Sequence, residues 1–211
     1  MKLFNFHTHN NNEVNGIINC FPGTDFPKGK LLSCGLHPWY YNENFEKALQ
    51  FVESAAHSGN IVAIGETGLD AASPVDLQKQ TEILSAHSKI SEKYGLPLII
   101  HCNKHFNTLS KLKNTLKPVQ AWIIHGYNSK ITILPELKKH DFYFSVSGKL
   151  LRNPEKAKEF FKIITRDRFF VETDNSDENL QELYNFAAGY LGITIEELVA
   201  QIEINLKVIG L

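Results

Sequence analysis

Four histidines and two carboxylates are the residues of this sequence best suited to chemistry: His7, His9, Glu66, His101, His125 and Asp174. Each stands at the end of a short apolar run. His7-Thr8-His9 closes the first of these, and residues two apart on a strand point to the same side, so both imidazoles can reach one ion. Glu66 closes the run 61–65. A carboxylate there can bridge two cations, because each oxygen has a lone pair free for a different ion. His101 follows Ile99-Ile100, His125 follows Ile123-Ile124, and Asp174 ends Val171-Glu172-Thr173-Asp174. Taken singly, each has an ordinary structural explanation as a core histidine, a loop histidine or a helix cap. Six metal-type residues at successive strand ends point instead to one centre for two divalent cations. Mixed nitrogen and oxygen donors suit zinc, manganese, nickel or cobalt better than an all-oxygen magnesium site, with magnesium able to serve a weaker second position.

The elements that must bring these residues together alternate along the chain. Strands are predicted over 2–6, 16–20, 31–35, 61–65, 97–100, 120–124, 142–146 and 168–171. Several are apolar throughout, as strands buried on both faces are. Helical spacing appears in Phe45, Leu49, Val52 and Ala56. It recurs in Ile83, Ala86, Ile90 and Tyr94, stopped by Gly95 and Pro97, and in Leu109, Leu112 and Leu116, stopped by Pro118. Pro135 suits the first turn of a helix inside 131–140, and Asn153-Pro154 reads as a cap followed by proline at the first helical position. Ser176 precedes an acidic helix start, and Thr194-Ile195-Glu196-Glu197 reads as a capping box. His57 and His87 fall on helices and are expected to be exposed.

Alternating β and α elements imply an α/β fold with a parallel sheet, and eight strands favour a closed TIM-type (β/α) barrel. The rim at the strands' C-terminal ends is where such barrels place their chemistry. Residues 10–30 contain no convincing helix, so the first βα unit is expected to be trimmed or irregular. With 211 residues and 43% hydrophobic content, one core is expected, spanning 1–211 as a single domain. The net charge of −1 excludes a globally basic nucleic-acid binder, so any such affinity must come from a local patch. No apolar stretch reaches membrane-spanning length, and no secretory h-region opens the sequence. The three cysteines, Cys20, Cys34 and Cys102, form no CxxC pair and fit reduced thiols in a cytoplasmic protein.

The sequence resembles the TatD family of metal-dependent deoxyribonucleases, within the amidohydrolase-like barrels. Gly35-Leu36-His37-Pro38, Ile64-Gly65-Glu66-Thr67-Gly68-Leu69-Asp70, Leu96 to His101, His125-Gly126-Tyr127 and Glu172-Thr173-Asp174 match its motifs in order. Gln80 and Asn205 sit where helix residues of the family are expected. The resemblance implies one cation at His7, His9, Glu66 and Asp174, and a second at Glu66, His101 and His125. It also implies phosphodiester cleavage of DNA by an activated water, as a 3′-5′ exonuclease acting on single strands or 3′ ends. Glu66 and Asp174 would be catalytic, Asp174 also as proton acceptor, and His37, Lys104 and His105 would face the substrate phosphate.

Several positions depart from the family pattern. Asn5 replaces the opening aspartate, Lys104 stands in a stretch where the family carries arginine, and Gly126-Tyr127 replaces Cys-Phe. The chain is also short in 10–30 and 71–74. Two other functions stay open at this level: a small-molecule hydrolase of the amidohydrolase type, and a degenerate barrel that binds without turnover. Oligomeric state is not specified by any motif.

Overall fold

The computed structural model describes residues 2–41 and 45–211. Eight parallel strands lie in sequence order: β1 (Asn5–Thr8), β2 (Gly16–Cys20), β3 (Leu31–Cys34), β4 (Ala63–Asp70), β5 (Leu98–Asn103), β6 (Trp122–Ile124), β7 (Tyr143–Val146) and β8 (Phe169–Val171). The ends meet through a parallel bridge between Thr8 and Asp174. There the Asp174 N–H donates to the His7 carbonyl at 3.0 Å, and the His9 N–H donates to the Asp174 carbonyl at 3.2 Å. The barrel therefore closes through the backbone of three of the residues predicted as metal ligands, His7, His9 and Asp174.

Among the described residues, eight α-helices accompany the strands: α1 (Phe45–His57), α2 (Leu77–Tyr94), α3 (Phe106–Leu116), α4 (Leu134–Lys139), α5 (Gly148–Leu151), α6 (Pro154–Ile163), α7 (Leu180–Leu191) and α8 (Ile195–Val208). None of the described helices is long and apolar enough to cross a membrane. The caps follow local chemistry. Asn153 accepts from the Lys156 N–H, Gly95 ends α2 in the left-handed conformation, and Thr194 with Glu197 forms a reciprocal capping box. Two expectations need correction. Asn179, not Ser176, caps α7, because its side chain reaches the Gln181 and Glu182 N–H groups, while the Ser176 hydroxyl donates to the Thr173 carbonyl. His87 is fully buried rather than exposed, since it lies on the face of α2 that also buries Ile83 and Leu84.

The trimmed start of the barrel is real. Residues 9–15 and 21–30 join β1 to β2 and β2 to β3 without a helix. Glu13 holds the first connection: its carboxylate accepts from the Val14 and Asn15 N–H groups and from the Asn5 amide. At the other end of the chain, the Asn205 amide on α8 donates to the Arg166 and Phe169 carbonyls and ties the last helix to β8. The core is mainly apolar, with a few buried polar side chains such as Gln80 and His87 on α2. Phe6 stacks on Phe170 with ring centroids 4.2 Å apart, and burying each such side chain contributes about 1.5–3 kcal/mol.

Candidate metal centre

Glu66 stands at the centre of the C-terminal rim, and its two oxygens face different partners. Oε2 lies 3.6 Å from His7 Nε2 and 3.6 Å from His9 Nε2. Those imidazoles are in turn 4.0 and 3.8 Å from Asp174 Oδ1. Oε1 lies 2.7 Å from His125 Nε2, 3.3 Å from His101 Nδ1 and 3.3 Å from His37 Nε2. Three donor groups are compact enough to hold an ion: His7, His9 and Glu66; His7, His125 and Asp174; and His37, Glu66 and His101. All six sequence-predicted ligands meet at one place, and His37 joins them.

Local structure fixes each side chain. Asn19 on β2 accepts the Glu66 N–H at 2.8 Å. Gly68 lets β4 approach β5: a Cβ there would fall 1.9 Å from the His101 carbonyl oxygen, on a backbone with φ of +152°. His101 Nε2 lies 2.8 Å from Asp70 Oδ2. An ionised carboxylate only accepts, so this nitrogen carries the proton and Nδ1 keeps a free lone pair toward Glu66. Asp70 is itself held by Gln80, whose amide brackets it by accepting from the Asp70 N–H and donating to its carbonyl. Behind His125, buried Glu172 turns Oε1 toward Nδ1 at 3.6 Å and accepts from the Ser145 hydroxyl. His87 Nδ1 faces the Ile83 carbonyl at 2.8 Å, so its Nε2 is the acceptor for the Leu36 N–H and anchors the segment that presents His37.

Burial alone would raise the Glu66 carboxyl. The His125 charge and the imidazoles of His101, His125 and His37 around it hold it well below the usual carboxylate range instead. Burial opposes the charge on His125, yet Glu66 and Glu172 push it well above the ordinary imidazole value. Asp174 is also lowered, against its burial, by His125, His7 and Lys149. Both ring nitrogens of His7 are buried without a hydrogen-bond partner, as is His125 Nδ1. Buried polar atoms without partners cost free energy. The His7 Nε2 separations are too long for hydrogen bonds, and a cation is the group whose binding relieves that cost. The donor set therefore fits a divalent metal.

The family profile described as TatD related DNase matches residues 14–209. The chain belongs to the TatD-related DNase family. An uncharacterized metal-dependent hydrolase of Buchnera aphidicola is 34% identical over 148 residues, covering 69% of this chain and 56% of that protein. The uncharacterized metal-dependent hydrolase YcfH of Escherichia coli K12 is 27% identical over 184 residues, covering 80% of this chain and 69% of its own length. A protein of Erwinia tasmaniensis named 3′-5′ ssDNA/RNA exonuclease TatD is 26% identical over 146 residues, covering 67% and 56%. The match thus spans little more than half the length of some of these relatives. The crystal structure of YJJV, a TatD homolog from E. coli, shares the fold with a TM-score of 0.80 at 16% identity, covering 92% of this chain and 85% of that one. A TatD-family hydrolase from Entamoeba histolytica does so at 0.77 and 16%, covering 98% and 97%.

Two features of this TatD-family site escaped the sequence reading. Asp70 shares the strand face of Glu66, four residues on, and period-two spacing contained that signal. Lys149, on α5, places Nζ 3.1 Å from Asp174 Oδ2, and nothing in the local pattern announced it. The family's opening aspartate position, Asn5, touches no ligand. Its amide donates to Thr173 Oγ1 at 2.8 Å and to Glu13 Oε2 at 2.9 Å, and its oxygen accepts from the Thr173 N–H at 3.0 Å. Lys104 is exposed on the β5–α3 turn, and His105 is half-buried at the start of α3 with no side-chain capping bond. Of the aromatic residues after His37, Trp39 donates its indole N–H to Asp70 and Tyr41 donates to the Gly68 carbonyl. Tyr40 is exposed, with its ring 5.6 Å from His37 and 5.5 Å from Phe21.

Proposed function

We propose that this chain is a hydrolase that uses two divalent cations to cleave phosphodiester bonds in DNA, acting on single strands at 3′ ends. The observation that carries this reading is the division of Glu66 between two sets of imidazoles, His7 and His9 at one oxygen and His37, His101 and His125 at the other. The family's description as DNases and the name of the Erwinia relative support the substrate class.

His7, His9, Glu66 and Asp174 would hold one ion, and Glu66, His101 and His125 the second, with zinc, manganese, nickel, cobalt or magnesium as candidates. Bound there, divalent cations polarise a phosphoryl oxygen and lower the pKa of water. The remaining work belongs to the side chains. Asp174 is kept ionised by its surroundings and takes the proton from the attacking water. Lys149, beside Asp174 Oδ2, places a positive charge where the phosphate enters. Glu66 is held from both oxygens and serves as a fixed bridge. His37 lies close enough to reach the phosphate or the ligand shell, and Lys104 and His105 offer outer contacts. The three cysteines, all free thiols, favour a cytoplasmic location.

The test is release of nucleotides from single-stranded DNA with a panel of divalent metals. Chelation and Glu66→Ala are expected to abolish release. Absence of phosphodiester hydrolysis with every metal, or faster turnover of amides or lactones, contradicts the reading.

A further inference from the structure

Beside the metal centre, between the loops that follow β5 and β6, lies a groove of about 730 Å³. It begins at residues directly after two cluster histidines: Cys102 and Asn103 beyond His101 and Gly126 beyond His125. Its walls carry Lys104, Lys130 and Lys156, and no aspartate or glutamate lines it. In a chain of net charge −1, three cations gathered without an acid are a strong local departure.

Some lysines of the molecule are neutralised. Lys79, Lys93, Lys139 and Lys162 each pair with a glutamate. Among the described residues, no carboxylate lies within 4.0 Å of Lys104, Lys130 or Lys156. Lys156 instead donates to both the carbonyl and the side-chain oxygen of Asn128 at 2.6 Å, which ties α6 to the loop after β6 and fixes the wall of the groove. The Tyr127 hydroxyl donates to the Lys130 carbonyl at 2.8 Å and fixes the same loop from within. Lys104 stands on a left-handed turn with φ of +65°, directly after Asn103, whose amide donates to Asp70. The lysines are thus presented by a braced loop and a braced strand end, with their charge uncompensated.

We infer that this groove is a track for the phosphates neighbouring the scissile bond, with Lys104 and Lys130 as direct contacts and Lys156 as brace and third charge. The inference deepens the phosphodiesterase reading and rests on it for the identity of the polyanion. It explains how a chain with no basic excess grips a nucleic-acid strand: the affinity is concentrated in one groove bordered by the residues that follow His101 and His125. A lone phosphodiester fills only the centre, whereas a strand of several nucleotides also fills the track.

The experiment is a fluorescence-anisotropy titration with end-labelled single-stranded oligothymidylate, from about 50 to 200 mM salt. EDTA is present, so that no turnover occurs and binding is read apart from catalysis. Two direct phosphate contacts predict a log–log salt slope contribution of about −1.4, at roughly −0.7 for each phosphate on a single strand. Lys104→Asn, which tolerates the left-handed backbone, and Lys130→Ala are each expected to flatten the slope by about 0.7 and to weaken binding several-fold at the lower salt. Lys89→Ala removes the same charge from the exposed face of α2 and is expected to change neither quantity. An unchanged slope in the double variant overturns the track whatever the wild-type activity. Hydrolysis of bis(4-nitrophenyl) phosphate by the wild type, assayed separately with metal, tests the catalytic reading alone. A lysine-dependent slope in a protein that cleaves no phosphodiester keeps the track and removes the proposed catalysis.

Discussion

Asp70 Oδ2 accepts the Nε2 proton of His101 at 2.8 Å, and this bond decides which nitrogen of His101 faces Glu66. Burial would raise the Asp70 carboxyl, but hydrogen bonds from Trp39, Ala72, His101 and Asn103 bring it down to about 2, so it remains an acceptor at neutral pH. A carboxylate behind a ligating imidazole fixes the ring and increases its basicity. Asp70→Asn keeps the shape but lets either oxygen or nitrogen face the ring. It is expected to weaken metal binding at the His101 position by about 10- to 100-fold. Calorimetric titration of the metal-free variant checks this, and an unchanged affinity would remove Asp70 from the centre.

Asn5 leads to the opposite expectation from the one its family position suggests. Restoring the acid with Asn5→Asp sets a carboxylate against Glu13 Oε2, which the Asn5 amide contacts at 2.9 Å, and against the oxygen of Thr173. The loss of two buried donors is expected to destabilise the fold by roughly 1–3 kcal/mol. The double variant Asn5→Asp with Glu13→Gln returns a donor to the pair and is expected to recover a large share of that loss. Urea denaturation of the four proteins in the cycle measures it, and additive effects would refute the coupling.

His87 makes the fold sensitive to acid. Burial lowers its pKa from 6.5 to about 4, against the raising effect of its bond to the Ile83 carbonyl. Below pH 6.5 the unfolded chain takes up a proton that the folded chain refuses until about pH 4. Stability from this residue is therefore whole above pH 6.5 and falls as pH drops through that window, by roughly 3 kcal/mol in all. Denaturation midpoints between pH 7 and pH 5 should decline more steeply for the wild type than for His87→Gln, and parallel declines would contradict the assignment.

How far these features could be read in advance depended on what each strand faces. All eight strands were visible because apolar runs such as Ile123-Ile124 and Phe169-Phe170 are buried on both sides. β4 was expected to end at Gly65 but continues to Asp70, since Glu66 and Asp70, turned to the site, and Thr67, turned to His87 on α2, are polar and break the apolar pattern. Function hides strand there. His87 was misjudged by its type, although helical spacing from Ile83 and Leu84 placed it on the buried face of α2. The six metal-type residues were legible because barrel topology sends strand ends to one rim. Lys149, and the meeting of Lys104 with Lys130 and Lys156 in one groove, were not, because they depend on how loops after different strands meet.

The most direct measurement is the metal content of crystals grown with manganese or zinc, read by anomalous scattering. Two peaks are expected, one on the His7 and His9 side of the Glu66 carboxylate and one on the His101 and His125 side, and both are expected to vanish in Glu66→Ala. Peaks elsewhere on the molecule, or none at the rim in a metal-saturated crystal, would contradict the account.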